Sequence, residues 1–297
     1  MPASLAIWRD RRGQLSLLRI ATLAILLWPA LVAAIDTGRG ALGPRPLNEV
    51  IHRSGWWSLV FLFASLAVTP LRQSGGFARL FEVRRMIGVA SFLYAAAHIL
   101  LYVVDQRFDL VKVATEIVSR LYLTIGFVAL LAMAALASTS NDTMLKRLGG
   151  LKWRRLHQLT YLIALLGLIH FFQQTKADIT QPTLFAGLFG WLMSYRVFAR
   201  RGEGALAWPA LIGVAFLAAA LTFVGDVLGL WITAKRPPFI DFLPLYAGAI
   251  FDPDIGIRPG WPVLAAGLAV ALLEAVQSRR RRVAPRPRRA VASPATS

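Results

Sequence analysis

Residues 86–104 read MIGVASFLYAAAHILLYVV, a run without a charged side chain. At a rise of about 1.5 Å per residue, a helix of this length crosses the roughly 30 Å hydrocarbon core of a bilayer. Further apolar windows of similar length, separated by segments rich in glycine, proline or charge, cover residues 17–35, 54–71, 121–138, 155–173, 183–199, 206–232 and 262–277. The sequence therefore predicts an all-α fold, a polytopic membrane helical bundle with eight spans.

Composition supports this fold class and excludes several kinds of site. Hydrophobic residues make up 57% of the 297 positions, and mean hydropathy is +0.57. The chain has no cysteine, which excludes disulfides, thiolate-held iron–sulfur clusters and cysteine zinc sites. The net charge of +18 is of the kind that binds nucleic acid. However, the basic residues lie between the apolar windows, so we interpret them as a topology signal and expect no nucleic acid partner.

The distribution of basic residues also predicts the orientation. Lys and Arg are enriched in the cytoplasmic loops of membrane proteins. With the N-terminus placed inside, most of the 33 basic residues fall in inside segments, so both termini are predicted to be cytoplasmic. No convincing small-residue cleavage site follows the first apolar window, and we interpret that window as an uncleaved span.

The residues that could carry chemistry are concentrated in the first part of the chain, because all four histidines precede residue 171. We therefore divide the chain into a six-span core (1–202), an appended two-span segment (203–277) and an Arg-rich, disordered cytoplasmic tail (278–297). The connection 233–260 contains several prolines and aromatic residues. It is interpreted as an interfacial loop, with a docking surface as the alternative.

Two histidines lie inside apolar windows, where an ionisable side chain marks a candidate functional site. His98 lies late in the third span and His170 late in the fifth. These spans run in the same direction, so the two imidazoles are predicted at similar depth towards the outside face. If the helices are neighbours, a haem can stand between them with one imidazole on each side of its iron. The alternative is a plain hydrogen bond between the helices.

A second polar group is predicted at the inner end of the same spans. His157 lies about 20 Å before His170 along the axis, and Arg84 and Arg85 lie at the matching level of the third span. His157 could ligate an inner cofactor whose propionates or phosphate the arginines neutralise, unless the arginines only anchor the span. On an ideal helix the two histidines face different sides. A kink near Gly167, or cofactors approached from different sides, is therefore required.

Two further polar residues are weaker candidates. His52 begins the second span at the outside face, where a histidine is commonly just solvated, so a ligand role is secondary. Asp226 lies in the seventh span, which suggests a proton relay. Its predicted position near the outside interface favours a structural role instead.

A set of ordered motifs between about residues 20 and 200 resembles the MsrQ (YedZ) family, which is part of the ferric-reductase-like transmembrane superfamily. These motifs are Thr69-Pro70-Leu71-Arg72, Arg84-Arg85-Met86-Ile87-Gly88, Ala97-His98, Arg120-Leu121-Tyr122-Leu123-Thr124-Ile125-Gly126, Ser138-Thr139-Ser140, Trp153-Arg154-Arg155-Leu156-His157-Gln158-Leu159-Thr160-Tyr161-Leu162 and Ile169-His170. Residues 205–297 lie outside the resemblance, so the appended segment has no assignment from it.

The resemblance implies a haem b electron-transfer subunit of the bacterial inner membrane, with FMN as a second cofactor. It implies that electrons pass from a cytoplasmic flavin reductase to a periplasmic MsrP-like molybdopterin enzyme, which reduces methionine sulfoxide in proteins. By position, His98, His157 and His170 match the haem-ligand histidines of the family. Arg84 or Arg85 stands where oxidase-like relatives of the family have a second histidine. The haem count, one or two, therefore stays open.

Other function classes remain as alternatives. GRGALG at residues 38–43 matches a dinucleotide motif by letter only, since it follows a membrane span and leads into prolines. Electrons are therefore expected from a partner. The chain could instead be a stand-alone ferric or quinone reductase, or a transporter or assembly protein whose histidines only form hydrogen bonds. The transporter reading is less favoured because no internal repeat is evident.

Overall fold

The computed structural model describes residues 8–9, 13–175, 178–201, 206–235, 237–252 and 256–283. Within these ranges the regular elements are helices and no β-strand forms. The α-helices are α1 (Leu17–Gly38), α2 (Pro46–Gln73), α3 (Arg84–Asp105), α4 (Leu110–Ser119), α5 (Leu121–Ser138), α6 (Asp142–Leu148), α7 (Gly150–His157), α8 (Leu159–Gln174), α9 (Thr180–Arg201), α10 (Trp208–Thr233), α11 (Phe239–Ala249) and α12 (Gly260–Val283). A 3₁₀ helix, Ala78–Glu82, joins α2 to α3.

Seven segments of the described chain are long and apolar enough to cross a bilayer, with α7 and α8 together forming one of them. They coincide with seven of the eight predicted windows, and the prediction of an all-α polytopic membrane bundle is confirmed. The remaining window, 183–199, is helical as part of α9 but does not reach the same hydropathy. Its polar Arg196 is satisfied inside the bundle, because the guanidinium donates to the Leu66 carbonyl of α2 at 2.6 Å.

Helix α2 is the central helix of the core and contacts α1, α3, α8 and α9. Half of its apolar window is buried inside the protein. At the contact with α3, the Ser58 hydroxyl donates to the Ser91 carbonyl at 2.9 Å, and the Ser91 hydroxyl donates to the Ser58 carbonyl at 2.7 Å. Small polar side chains let membrane helices approach closely and satisfy each other's hydrogen bonds. This reciprocal pair fixes the height of α3 relative to α2.

Three short helices lie in segments where the sequence predicted only connections: α4, α6 and α11. Helix α4 begins after Asp109, whose carboxylate accepts a hydrogen bond from the backbone N–H of Lys112 at 2.9 Å. Such an N-cap stabilises the first turn. Helix α11 occupies part of the connection 233–260. A search for windows of roughly 20 apolar residues cannot detect helices of this length.

The appended helices α10 and α12 pack against each other, and both contact α9 of the core. Near the C-terminal end of α12, the Gln277 side-chain amide donates to the carbonyl of Gly75, after α2, at 3.2 Å. Helix α12 continues to Val283, so residues 278–283 are helical where the sequence predicted the start of a disordered tail. Basic residues are favourable at a helix C-terminus because they oppose the helix dipole. The rest of the predicted tail, 284–297, lies outside the described residues, and the division at residue 202 stays a prediction.

Candidate functional site

The structure brings together the two histidines that the sequence predicted to face each other. His98 projects from α3 and His170 from α8, and the centroids of their rings lie 6.4 Å apart. The ring planes are inclined at 85° to each other. Both side chains are half-buried. The two imidazoles, which the sequence predicted at similar depth, therefore also lie next to each other.

Each of these histidines is oriented by a backbone carbonyl of a neighbouring helix. The Nδ1 atom of His98 lies 2.8 Å from the carbonyl oxygen of Ile51 on α2. The Nδ1 atom of His170 lies 2.8 Å from the carbonyl oxygen of Tyr122 on α5. A carbonyl can only accept, so each Nδ1 carries the proton and donates it. Each Nε2 atom then keeps its lone pair for a metal ion, which is the usual arrangement of metal-bound histidine.

Two glycines provide the space in which the rings lie. A Cβ atom added at Gly55 would lie 3.0 Å from His98 Nδ1, and one added at Gly126 would lie 2.8 Å from His170 Nδ1. Sequence reasoning missed these glycines and the carbonyls that orient the rings. Gly126 lies in one of the family motifs, so the sequence contained a signal for it, whereas nothing in the sequence distinguished Gly55.

The geometry fits an iron porphyrin. An iron bonded to both Nε2 atoms at about 2 Å, with each ring centre about 1 Å behind its nitrogen, would separate the centroids by about 6 Å. The observed separation is 6.4 Å. Throughout the described ranges, no group of three or more His, Asp or Glu side chains could hold a metal. A pair of imidazoles suits a metal whose remaining ligands come from a macrocycle.

His157 lies in a different environment. Its ring stacks on Trp153 with centroids 3.7 Å apart. Both ring nitrogens have polar partners: His157 Nδ1 lies 3.0 Å from the Trp153 carbonyl, and Nε2 lies 3.2 Å from the Ser140 hydroxyl. Gln158, the single residue between α7 and α8, keeps right-handed helical dihedral angles, so the two helices form one continuous span.

The two candidate arginines differ in their contacts. Arg85 forms an exposed ion pair with Asp142 at the start of α6, with 2.7 Å between the charged atoms. Arg84 is half-buried, and no ion pair to it forms in the part of the chain that the structure describes. Nearby, the Arg196 guanidinium lies 5.4 Å from the centre of the Tyr161 ring. Of the two predicted arginines, Arg84 is therefore the one whose charge is available for an anionic group.

The two remaining polar candidates, His52 and Asp226, differ in burial. His52 is exposed on α2. Asp226 is fully buried inside the protein, and its carboxylate accepts hydrogen bonds from Arg258 at 2.9 Å and from the Tyr246 hydroxyl at 2.8 Å. Burial, followed by the hydrogen bond to Asp226, raises the pKa of Tyr246, so the phenol stays protonated and donates. This cluster joins α10, α11 and the segment before α12, which supports the structural role.

Comparison with known proteins shows the family. The model of the ferric reductase like transmembrane component matches residues 54–168. The heme-binding subunit MsrQ of protein-methionine-sulfoxide reductase from Rhodospirillum rubrum is 40% identical over 190 residues, which cover 64% of this chain and 89% of that protein. The chain belongs to the MsrQ family. The MsrQ protein of Xanthomonas campestris pv. campestris (strain B100) is 41% identical over 182 residues, covering 61% of this chain and 83% of the relative.

Membership of the MsrQ family agrees with the arrangement of the candidate residues. The ferric-reductase match includes His98, Arg84 and His157 and ends two residues before His170. The appended helices α10 and α12 lie outside that match. No solved structure matches the chain significantly. The side-chain geometry of the site is therefore known from the structure of this chain alone.

Proposed function

We propose that this MsrQ-family protein is a haem b electron-transfer subunit, with the iron ligated by His98 and His170. One observation carries the proposal: two imidazoles from different helices lie with their centroids 6.4 Å apart, and each uses Nδ1 for a backbone carbonyl, which leaves Nε2 as the ligand atom. The relatives named as heme-binding subunits support it. When bound, the haem supplies one-electron chemistry. The protein's own residues orient the ligands, keep them protonated at Nδ1 and exclude water.

We place the haem in the outer half of the bacterial inner membrane, with both termini in the cytoplasm. The distribution of basic residues supports this orientation. Electrons would arrive from a cytoplasmic flavin reductase and leave to a periplasmic MsrP-like molybdopterin enzyme that reduces methionine sulfoxide in proteins. The name of the relatives supports the last step. In this proposal the membrane subunit has no substrate-reducing site of its own.

The inner residues form the basis of a second part of the proposal. We infer that Arg84 binds the anionic group of an inner cofactor, either a propionate of a second haem or the phosphate of FMN, by charge-assisted hydrogen bonds. His157 can become its ligand only by giving up the hydrogen bond between Nε2 and Ser140. Arg85 contributes less direct charge, because Asp142 already neutralises it. The outer pair needs no such rearrangement, so it is the stronger site.

Absorption spectroscopy of the purified full-length protein tests the ligand pair. His98→Ala and His170→Ala should each remove the low-spin band of the haem held by this pair, while His52→Ala, which replaces an exposed histidine, should retain it. Retention of the full band in both ligand variants would contradict the proposal. Reduction of an MsrP-like enzyme in the presence of a flavin reductase tests the electron route. Turnover with ferric iron or quinone but not with that enzyme would favour the stand-alone reductase.

A further inference from the structure

Helices α2 and α5 present the same backbone arrangement to the two histidines. In α2 the carbonyl of Ile51 accepts from His98, and Gly55 follows one helical turn later beneath the ring. In α5 the carbonyl of Tyr122 accepts from His170, and Gly126 follows at the same interval. Each imidazole is thus held at its edge by a carbonyl and supported on one side by a helix surface without a side chain.

The space at both glycines is too small for a methyl group. Non-bonded heavy atoms normally stay about 3.5–4.0 Å apart. A Cβ atom at Gly126 would lie 2.8 Å from Nδ1 and 2.9 Å from Cε1 of His170. At Gly55 the corresponding distances to His98 are 3.0 Å and 3.2 Å. Alanine at either position would therefore displace the ring by several tenths of an ångström, and more at Gly126 than at Gly55.

Glycine is also a costly choice inside a helix. It loses more backbone entropy on folding than alanine and is less favourable in a helix interior. Neither glycine has a positive φ, so the backbone conformation does not require it. The close approach of the imidazole therefore explains the glycine at each position.

We propose that Gly55 and Gly126 are positioning residues that set the planes of the two haem-ligating imidazoles at nearly a right angle. The inference rests on the proposed function, since it concerns the orientation of the ligands once haem is bound. The observed angle between the rings is 85°. Perpendicular axial imidazoles interact with two different π-type orbitals of the iron and leave these nearly equal in energy. A ferric low-spin iron in such a field has a strongly anisotropic magnetic signature, whereas parallel rings give a rhombic one.

The experiment is electron paramagnetic resonance of the purified, oxidised full-length protein, with haem content measured in parallel. The wild-type protein should give a strongly anisotropic low-spin signal. Gly126→Ala should convert it to a rhombic low-spin or a high-spin signal, and Gly55→Ala should cause a smaller change in the same direction. Gly88→Ala is the matched control, because this glycine lies on α3 with no atom within 4 Å of an added Cβ. Its signal should equal that of the wild type.

Three results would overturn the inference. The first is a rhombic signal in the wild-type protein. This test does not depend on whether any variant folds. The second is a wild-type signal in both Gly55→Ala and Gly126→Ala with normal haem content. The third is an equal change in Gly88→Ala, which would show a general effect of helix substitution. Wild-type protein that binds no haem would instead refute the proposed function, so the two failures are distinguishable. If Gly126→Ala does not accumulate, Gly55→Ala and the wild type decide the question.

Discussion

The buried ion pair of the appended helices gives the most quantitative prediction. Asp226 of α10 is 0% exposed, and it accepts two hydrogen bonds from Arg258, at 2.9 Å and 2.5 Å. Removing one partner of a buried pair costs about 3–5 kcal/mol, because the other charge is left uncompensated. Hydrogen bonds from Thr180, with a contribution from the charge of Arg258, hold the pKa of Asp178 below its usual range. Asp178 therefore remains a charged carboxylate near Arg258 when Asp226 is replaced. We therefore expect Asp226→Ala to cost about 3 kcal/mol, the lower end of that range.

Thermal unfolding in detergent at a fixed scan rate measures this loss. For a chain of 297 residues, about 3 kcal/mol corresponds to a decrease of the melting temperature by about 5 °C. The control is Asp241→Ala, which removes an exposed acid from α11 and should leave the melting temperature unchanged. The variant Asp226→Leu/Arg258→Met/Tyr246→Phe removes all charges and hydroxyls of the cluster. It should recover most of the loss, since well-packed apolar groups replace buried ion pairs at little cost.

Equal melting temperatures of Asp226→Ala and Asp241→Ala would refute the reasoning, because they would mean that the buried pair contributes no more than a surface charge. A triple variant as unstable as Asp226→Ala would refute it differently, by showing that packing and not uncompensated charge causes the loss. The haem spectrum of all these variants should equal that of the wild type, since the cluster lies in the appended segment.

Three further predictions concern the core. Ser91→Leu overfills the contact with Ser58, so it should separate α3 from α2 and lower the haem content per polypeptide; full haem content would contradict the role of that contact. Arg84→Gln should weaken binding of flavin or a second haem more than Arg85→Gln does, because the exposed pair of Arg85 is worth at most about 1 kcal/mol. Cofactor content after purification compares the two, and equal losses would remove the special role of Arg84. Deleting the chain after residue 202 should leave haem per polypeptide unchanged, and loss of haem would contradict the predicted division.

Local properties of the chain were predictable because they depend on a few neighbouring residues. Apolar windows determined the membrane spans, since burial in lipid depends on the composition of each segment. The rise per residue along parallel spans placed His98 and His170 at the same depth. The direct proximity of these two rings follows that prediction. The same windows missed α4, α6 and α11, which are too short to stand out by composition and depend on caps and neighbouring contacts.

Features that join distant parts of the chain were decided only by the tertiary structure. The carbonyl of Ile51 orients His98 across 47 positions, and Arg258 pairs with Asp226 across 32, and no local pattern encodes such distances. The sequence placed Asp226 near the outer end of its span, but it could not show that α11 and the segment before α12 bury the carboxylate. The angle between the imidazole planes likewise depends on two separate helix contacts. A sequence fixes which groups lie at each depth, but only packing decides which of them meet and how they are turned.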